Sequence, residues 1–489
     1  MKNRKKLEIN HEENFLVNAI LTVHGAEINA VPCKIYLPER IYEKPYIIFK
    51  PQMKDSHRIM TSHKGELRAS VFGFDQKLQT TIEAPKVYFS ASSTKHWGDD
   101  ISETTVSGEP QDLHIVNHFS TPETQEKTSI VFWVSPNEFL TPFMMCENSY
   151  TGDVNYELVS NLTFLIKDDV QIVLEKHFAS KIEINDDFVQ WSFLVATTDL
   201  SIAASDVESL KGKVLPNIDD FLLIASFAAR KRTSCLGWTA TDNNSHSTFY
   251  RGNHTFPKGS DDVDIEDGVL DIQSFKEFME VSYSSFLRYE NKLALRNALY
   301  TTVPASSQAI ETSFLSYFSG LETLILDFRR QENIEFILQE DEWKDLRSHL
   351  EKSIKSCIKP KLEREKRALI YSKLGELNRV SLREAFEVFC AKYEINLNDL
   401  WPVFGNKEMV GLVDIRNKLI HGDPFPHELF NALILANSHL KYTLERVILR
   451  IFGWDVEETK VSQNYLKAYF IEKDNLSFEQ VRISEYINN

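Results

Sequence analysis

The apolar residues change their period once along the chain, near Ile272, and that change does most to fix the fold class. Between residues 14 and 200 the apolar runs are short, β-branched or aromatic, and broken by turn residues: FLVNAILTV, VPCKIYL, PYIIFK, ELRASVFGF, TSIVFWV, LTFLI, VQIVLEKHF and FVQWSFLVAT. Runs of that kind read as strands. Several alternate and several are continuously apolar, which predicts two packed sheets or a barrel-like sheet. From Ile272 the spacing becomes three and four, the helical period. It predicts long helices over 275–300 and 308–328, shorter ones over 343–358 and 381–392, then 409–421 and 428–451. Short connections make such a series a bundle. The expected architecture is multidomain α+β: a β-rich domain, sandwich or barrel-like, over residues 1–270, then an all-α bundle over 271–489. Two stretches read less sharply. FLLIASFAARKRTSCLGW predicts buried structure followed by a polar loop, TDNNSHST, and the aromatic residues of 463–489 predict a segment that docks.

Composition is needed to narrow the function. The five cysteines (Cys33, Cys146, Cys235, Cys357 and Cys390) are scattered and never form a CxxC pair. That argues for a reducing cytoplasm and against a disulfide frame or a zinc cluster. The longest apolar run, 221–229, is too short to span a bilayer, and no apolar core follows the basic MKNRKKLEIN, so neither a membrane span nor a secretory leader is expected. Net charge is −16; from Val281 onward 28 Lys and Arg stand against 30 Asp and Glu, a net of −2, which leaves −14 for residues 1–280. The first half is thus a poor nucleic-acid binder on charge alone. In the second half, 352–373 carries eight Lys and Arg against Glu363 and Glu365. It reads as a solvated helix face or, alternatively, as a patch that tracks a polyanion. The acidic stretch 260–268 lacks the glycine and glutamate of a calcium loop and reads as a boundary.

The chemistry concentrates in MVGLVDIRNKLIHGDP, residues 409–424. Wound as a helix, this stretch puts Met409, Leu412, Val413, Ile415, Leu419 and Ile420 on one arc, with Arg416 in the middle of it. A guanidinium among apolar side chains needs a carboxylate partner or a site built for a phosphate. Asn417 and His421 share the neighbouring flank, to which Asp414 also points. Gly422 and Pro424 stop the helix, leaving His421 in its last turn. In the 308–328 helix, Ile310, Phe314, Tyr317, Phe318, Leu321, Leu324, Ile325 and Phe328 form the buried stripe, and Glu322 at its margin is the expected partner of Arg416. RIMTSH, with Arg58 and His63, repeats the Arg-x4-His spacing without a helical stripe and is a chance match. HIVNH, with His114 and His118, lies in a strand-like stretch and reads as a satisfied surface pair rather than a metal site.

With its inward Arg, adjacent Asn and helix-terminal His, RNKLIH resembles the motif helix of the HEPN superfamily. FLSYFSGLETLILDF, with Glu322, resembles that family's earlier acidic helix. Set behind a β-rich domain, the bundle looks like the ApeA-type proteins of bacterial anti-phage defence; the motif-level likeness covers residues 305–450. The resemblance implies a metal-independent, cofactor-free endoribonuclease that uses the ribose 2′-hydroxyl as nucleophile and leaves a 2′,3′-cyclic phosphate. His421 would move protons, Arg416 would neutralise the phosphorane, and Asn417 would orient the imidazole or hold the phosphate. It further implies a homodimer that completes the site, and an N-terminal domain answering a phage-encoded trigger during abortive infection. The alternative is a non-catalytic HEPN bundle that binds RNA or a partner protein.

Overall fold

The computed structural model describes residues 12–488 apart from 24–25, 39–42, 53–67, 76–78, 98–100, 120–126, 143, 149–153, 159–161, 168–169, 183–187, 253–267, 305–307, 359–362, 407–408, 423–424 and 470–472. RIMTSH, residues 260–267 of the acidic stretch and Pro424 lie outside the described residues. The chain forms two compact units: Met1–Gly268 with Ile272–Glu280, and Val269–Asp271 with Val281–Asn489.

The first unit is an antiparallel sheet whose first six strands close on themselves. These are β1 (Glu12–Val23), β2 (Ala26–Leu37), β3 (Tyr46–Phe49), β4 (Arg68–Asp75), β5 (Thr80–Trp97) and β6 (Ile101–Pro110). They pair in the ring β5-β4-β1-β2-β3-β6, and β6 returns to β5. Closure removes the edges on which such a sheet would otherwise associate. The barrel interior holds Ala19, Leu21, Cys33, Ile35, Ile47, Phe49, Ile82 and Val87, all fully buried. Neither β5 nor β6 is among the runs read as strands, because both are rich in Ser, Thr and charged residues. Pro85 lies where the β4–β5 register slips between Ala84 and Val87, a bulge at which its missing N–H costs nothing. At the closure, a Cβ on Gly108 would stand 2.6 Å from the Tyr88 carbonyl, so only glycine permits the approach.

The sheet continues from β5 through β7 (Asp112–His118), β15 (Ser245–Arg251), β14 (Cys235–Thr241), β8 (Thr128–Val134), β13 (Phe188–Leu200), β12 (Val170–Ile182) and β11 (Leu162–Ile166); β9 (Met144–Asn148) and β10 (Val154–Leu158) form a separate hairpin. Helix α1 (Leu215–Ala229), apolar on nearly every side, covers one face through contacts such as Phe221 on Phe164 at 5.0 Å. The loop predicted at TDNNSHST is instead a hairpin: Ser245 begins β15, and Ser245 and Ser247 are buried. Asp242 makes the turn tight by accepting the N–H groups of Asn244 and Ser245 at 2.8 and 2.7 Å. The expected surface pair at HIVNH is also corrected. His118 is exposed, but His114 is only 3% exposed, packs edge-on against Phe249 and leaves its Nε2 without a partner among the described residues. Cys33 and Cys235 are free thiols pushed up to about 12 by burial, hence inert.

The helices after α1 are α2 (Phe275–Arg288), α3 (Lys292–Thr302), α4 (Ile310–Gln331), α5 (Glu340–Ile358), α6 (Arg364–Lys373), α7 (Leu382–Lys392), α8 (Leu412–Ile420), α9 (Phe430–Phe452), α10 (Gln463–Tyr469) and α11 (Lys473–Asn488). The helix predicted over 275–300 is thus two. Asn291 breaks it: its side chain accepts the Ala294 N–H as the α3 cap and donates to Asp327 on α4 at 2.6 Å. The expected α4 stripe from Phe314 to Phe328 is buried. On α9, Leu433, Leu440, Leu444, Val447 and Ile448 are buried and Ile451 is half-buried, whereas Phe430 and Ile434, also expected on that stripe, are 43% and 37% exposed. No described helix is long and apolar enough to cross a membrane.

Candidate functional site

Helix α8 is nine residues long, and its place is set by the chain that precedes it. The Leu412 and Val413 N–H groups donate to the Pro402 and Val403 carbonyls at 3.0 and 2.9 Å. The Trp401 indole donates to the Val410 carbonyl at 3.0 Å, and the Trp401 backbone N–H donates to His439 Nδ1 on α9 at 3.1 Å. Val410 in turn donates to Ser484 Oγ on α11 at 3.0 Å, so the C-terminal segment docks where the motif helix begins. Two glycines let these strands of chain cross: a Cβ on Gly405 would lie 2.6 Å from the Gly411 nitrogen.

This crossing starts the helix at Leu412, so Met409 precedes it and does not belong to its arc. Leu412 and Ile415 are buried, but Ile420 is 52% exposed. Asp414 is not on the flank with Asn417 and His421: its Oδ2 turns back to accept the Gly411 N–H at 2.8 Å, capping the helix.

Arg416 is 30% exposed at its side chain and reaches Glu322 of α4, whose Oε2 accepts from Nη2 at 3.2 Å. Its Nη1 donates to Asn417 Oδ1 at 3.2 Å, and the guanidinium lies over the Phe318 ring at 5.5 Å. A guanidinium has five N–H donors; the rest of Arg416's find no protein acceptor among the described residues. His421 ends the helix with its backbone N–H on the Asn417 carbonyl at 3.1 Å, and Gly422 follows at φ +80°, the left-handed residue that stops it. The His421 imidazole is exposed and makes no hydrogen bond to a described residue. Glu322, Arg416 and Asn417 are therefore in contact, and His421 stands at the surface beyond them. Such a set can hold an anion against a fixed cation and offer it an imidazole.

A second ion pair, not anticipated from the sequence, holds the frame. Arg446 of α9 makes a two-pronged contact with Asp399 at 2.6 and 2.7 Å through Nη1 and Nη2, while Nε donates to the Val461 carbonyl and Nη1 also to that of Asn396. Both side chains are buried, at 3% and 9% exposure. Although burial works against it, the Arg446 guanidinium holds the Asp399 carboxyl below its ordinary range. Burial also drives the neighbouring His439 down to about 4, which keeps its Nδ1 an acceptor for Trp401. The clue lay in the sequence: Arg446 interrupts the apolar series Leu440, Leu444, Val447 as Arg416 interrupts its own.

The basic run on α5 and α6 leaves Lys352, Lys355, Lys366 and Lys373 in solvent. Among the described residues no group of three or more His, Cys, Asp or Glu is placed to hold a metal ion. No family model, curated protein or solved structure matches the chain, so the reading of the site rests on its own geometry and chemistry.

Proposed function

We propose that the chain is a metal-independent endoribonuclease of HEPN type, working in the bacterial cytoplasm in anti-phage defence by abortive infection. One observation carries the reading: a half-open Arg416, steadied by Glu322 and Asn417 but with donors to spare, precedes an exposed His421 at a helix end. In the proposed reaction the ribose 2′-oxygen attacks the adjacent phosphorus and the bond to the 5′-oxygen breaks. The 2′-hydroxyl proton passes to an imidazole, the leaving oxygen takes a proton, and the products are a 2′,3′-cyclic phosphate and a 5′-hydroxyl. Arg416 meets the charge that grows on the phosphorane oxygens. One His421 cannot both take and give a proton in a single step, which supports a homodimer contributing two. Ile420, Phe430 and Ile434, exposed on either side of His421 in sequence, are side chains that a second copy would cover.

The first unit fits a different duty. With −14 on residues 1–280 it repels RNA but can offer a specific surface to a protein. We assign it the sensing of a phage-encoded component and the gating of the helical unit. The competing reading is a non-catalytic bundle that binds RNA or a partner, and the Glu322 contact favours it to the extent that Arg416 merely keeps α4 and α8 in register.

The test is cleavage of RNA by purified His421→Ala. Losing a positioned proton-transfer group costs about 10²–10⁴-fold in rate, so cleavage should fall by that factor while thermal unfolding and molecular mass stay unchanged. Cleavage by the variant at the wild-type rate would sink the assignment.

A further inference from the structure

Helix α5 has the length of a core helix and the burial of a surface one. It runs 19 residues, yet none of its described side chains is buried. Trp343, Leu350 and Ile354 are half-buried, and Leu346 is 43% exposed. At spacings of three, four and four these residues form one apolar stripe. The helix root is fixed, since the Leu338 N–H donates to Asn378 Oδ1 at 2.8 Å, but an isolated amphipathic helix draws its stability from something packed on its stripe.

The flank beside the stripe says what that is. Residues 340, 344, 347, 351 and 355 follow one another along it as Glu, Lys, Arg, Glu, Lys. Laid antiparallel on itself about a centre between Arg347 and Ser348, the helix brings Glu340 against Lys355 and Lys344 against Glu351, each twice by symmetry. The same register drops Trp343 between Leu350 and Ile354 of the other copy, and Leu346 between Arg347 and Leu350, as knobs into holes. The helix dipole would favour an acidic start and a basic end, and Arg347 Nε donates to Glu351 Oε1 at 2.9 Å within the helix, but neither gives a reason for Lys344 or for a stripe left only half-covered. A polyanion is repelled by Glu340, Asp341 and Glu342 at one end of the same surface.

We infer that α5 is a self-association surface: two copies of the chain pair through this helix, antiparallel, about a two-fold axis. The inference is independent of the ribonuclease reading and concerns a surface other than the one beside His421.

Sedimentation equilibrium of the full chain tests it. Lys344→Glu with Lys355→Glu makes the flank wholly acidic but for Arg347, and Glu340→Lys with Glu351→Lys makes it wholly basic. Each double variant should raise the self-dissociation constant about tenfold or more, because like charges then face each other at both ends. An equimolar mixture of the two should recover a 1:1 pair, since all four contacts become opposite again. Circular dichroism should show the helix content unchanged. A wild-type chain that stays monomeric overturns the proposal. So does a self-association constant that neither double variant moves; that result would leave pairing beside His421 intact. A mixture no tighter than its components overturns it as well.

Discussion

Arg416 and Arg446 each project from an apolar helix face onto a carboxylate, yet the two regions they anchor are built for opposite ends. Arg446 and Asp399 are nearly sealed, at 3% and 9% exposure, joined at two points, with two further guanidinium N–H groups spent on carbonyls. Arg416 and Glu322 are 30% and 29% exposed, joined at one point at 3.2 Å, with donors left over. A sealed pair that spends four of its five guanidinium donors on its own frame is a strut, because it offers solvent almost nothing with which to recognise a ligand. A pair held at one point and open to solvent fixes the direction of the cation while leaving it able to receive an oxyanion. The strut ties the loop before α8 to α9, and the open pair sits on the helix which that loop positions.

Breaking the strut should have the largest effect on stability. Asp399→Ala strands the Arg446 charge in the interior, a loss of about 3–5 kcal/mol for a buried pair cut on one side. Denaturant unfolding of the full chain should show the transition of the helical unit moving to lower denaturant while that of the sheet unit stays put. Arg446→Met combined with Asp399→Leu should recover much of the loss, because no charge is then left unpaired. A transition unmoved by Asp399→Ala would show that the strut carries no load.

Acid should loosen the same frame. His439 is driven by burial to about 4, whereas an unfolded imidazole takes up its proton near 6.5. Between those values the unfolded chain binds the proton and the folded one does not. The contribution is thus whole above pH 6.5 and falls away as pH drops toward 4, by up to about 3 kcal/mol. His114, driven to about 4 chiefly by burial with Lys211 adding to it, gives the first unit the same sign of dependence. The two differ in hydrogen bonding: His439 Nδ1 accepts the Trp401 N–H, while His114 Nε2 has no partner among the described residues. His439→Gln, which keeps an acceptor but cannot titrate, should flatten the pH 4–6.5 slope for the helical unit alone. A slope unchanged in that variant would remove His439 as its source.

These features were unequally legible in the sequence. The apolar strands and the α4 stripe were readable because burial leaves a period. Strands β5 and β6 left none: TTIEAPKVYFSASSTKHW closes the barrel through backbone pairing, and Pro85 at its bulge argues locally against a strand. The break at Asn291 is a single side chain acting on a residue 36 positions away, Asp327, and periodicity cannot see it. Glu322 could be matched to Arg416 because both mark regular helices, where an inward charge stands out. Asp399 could not be matched to Arg446, because it sits in an irregular loop 47 residues away. The start of α8 leaves no mark in the period for the same reason: Gly405 and Trp401 set it from outside the helix.

The smallest expected effect is the most discriminating. Glu322→Ala and Arg416→Ala should each cost the fold less than about 1 kcal/mol, since a half-exposed, singly joined pair is screened and holds two long side chains at an entropic cost. A double-mutant cycle between them should return a coupling of a few tenths to about 1 kcal/mol, against several for Asp399 with Arg446. Arg416→Ala should nevertheless lose RNA cleavage far out of proportion to its stability, because the proposed role of the cation is exercised on the phosphorane rather than on α4. Should the cycle instead give about 3 kcal/mol, Arg416 would be a second strut. The contrast with Arg446 would collapse, and the non-catalytic reading of the bundle would gain what the ribonuclease reading lost.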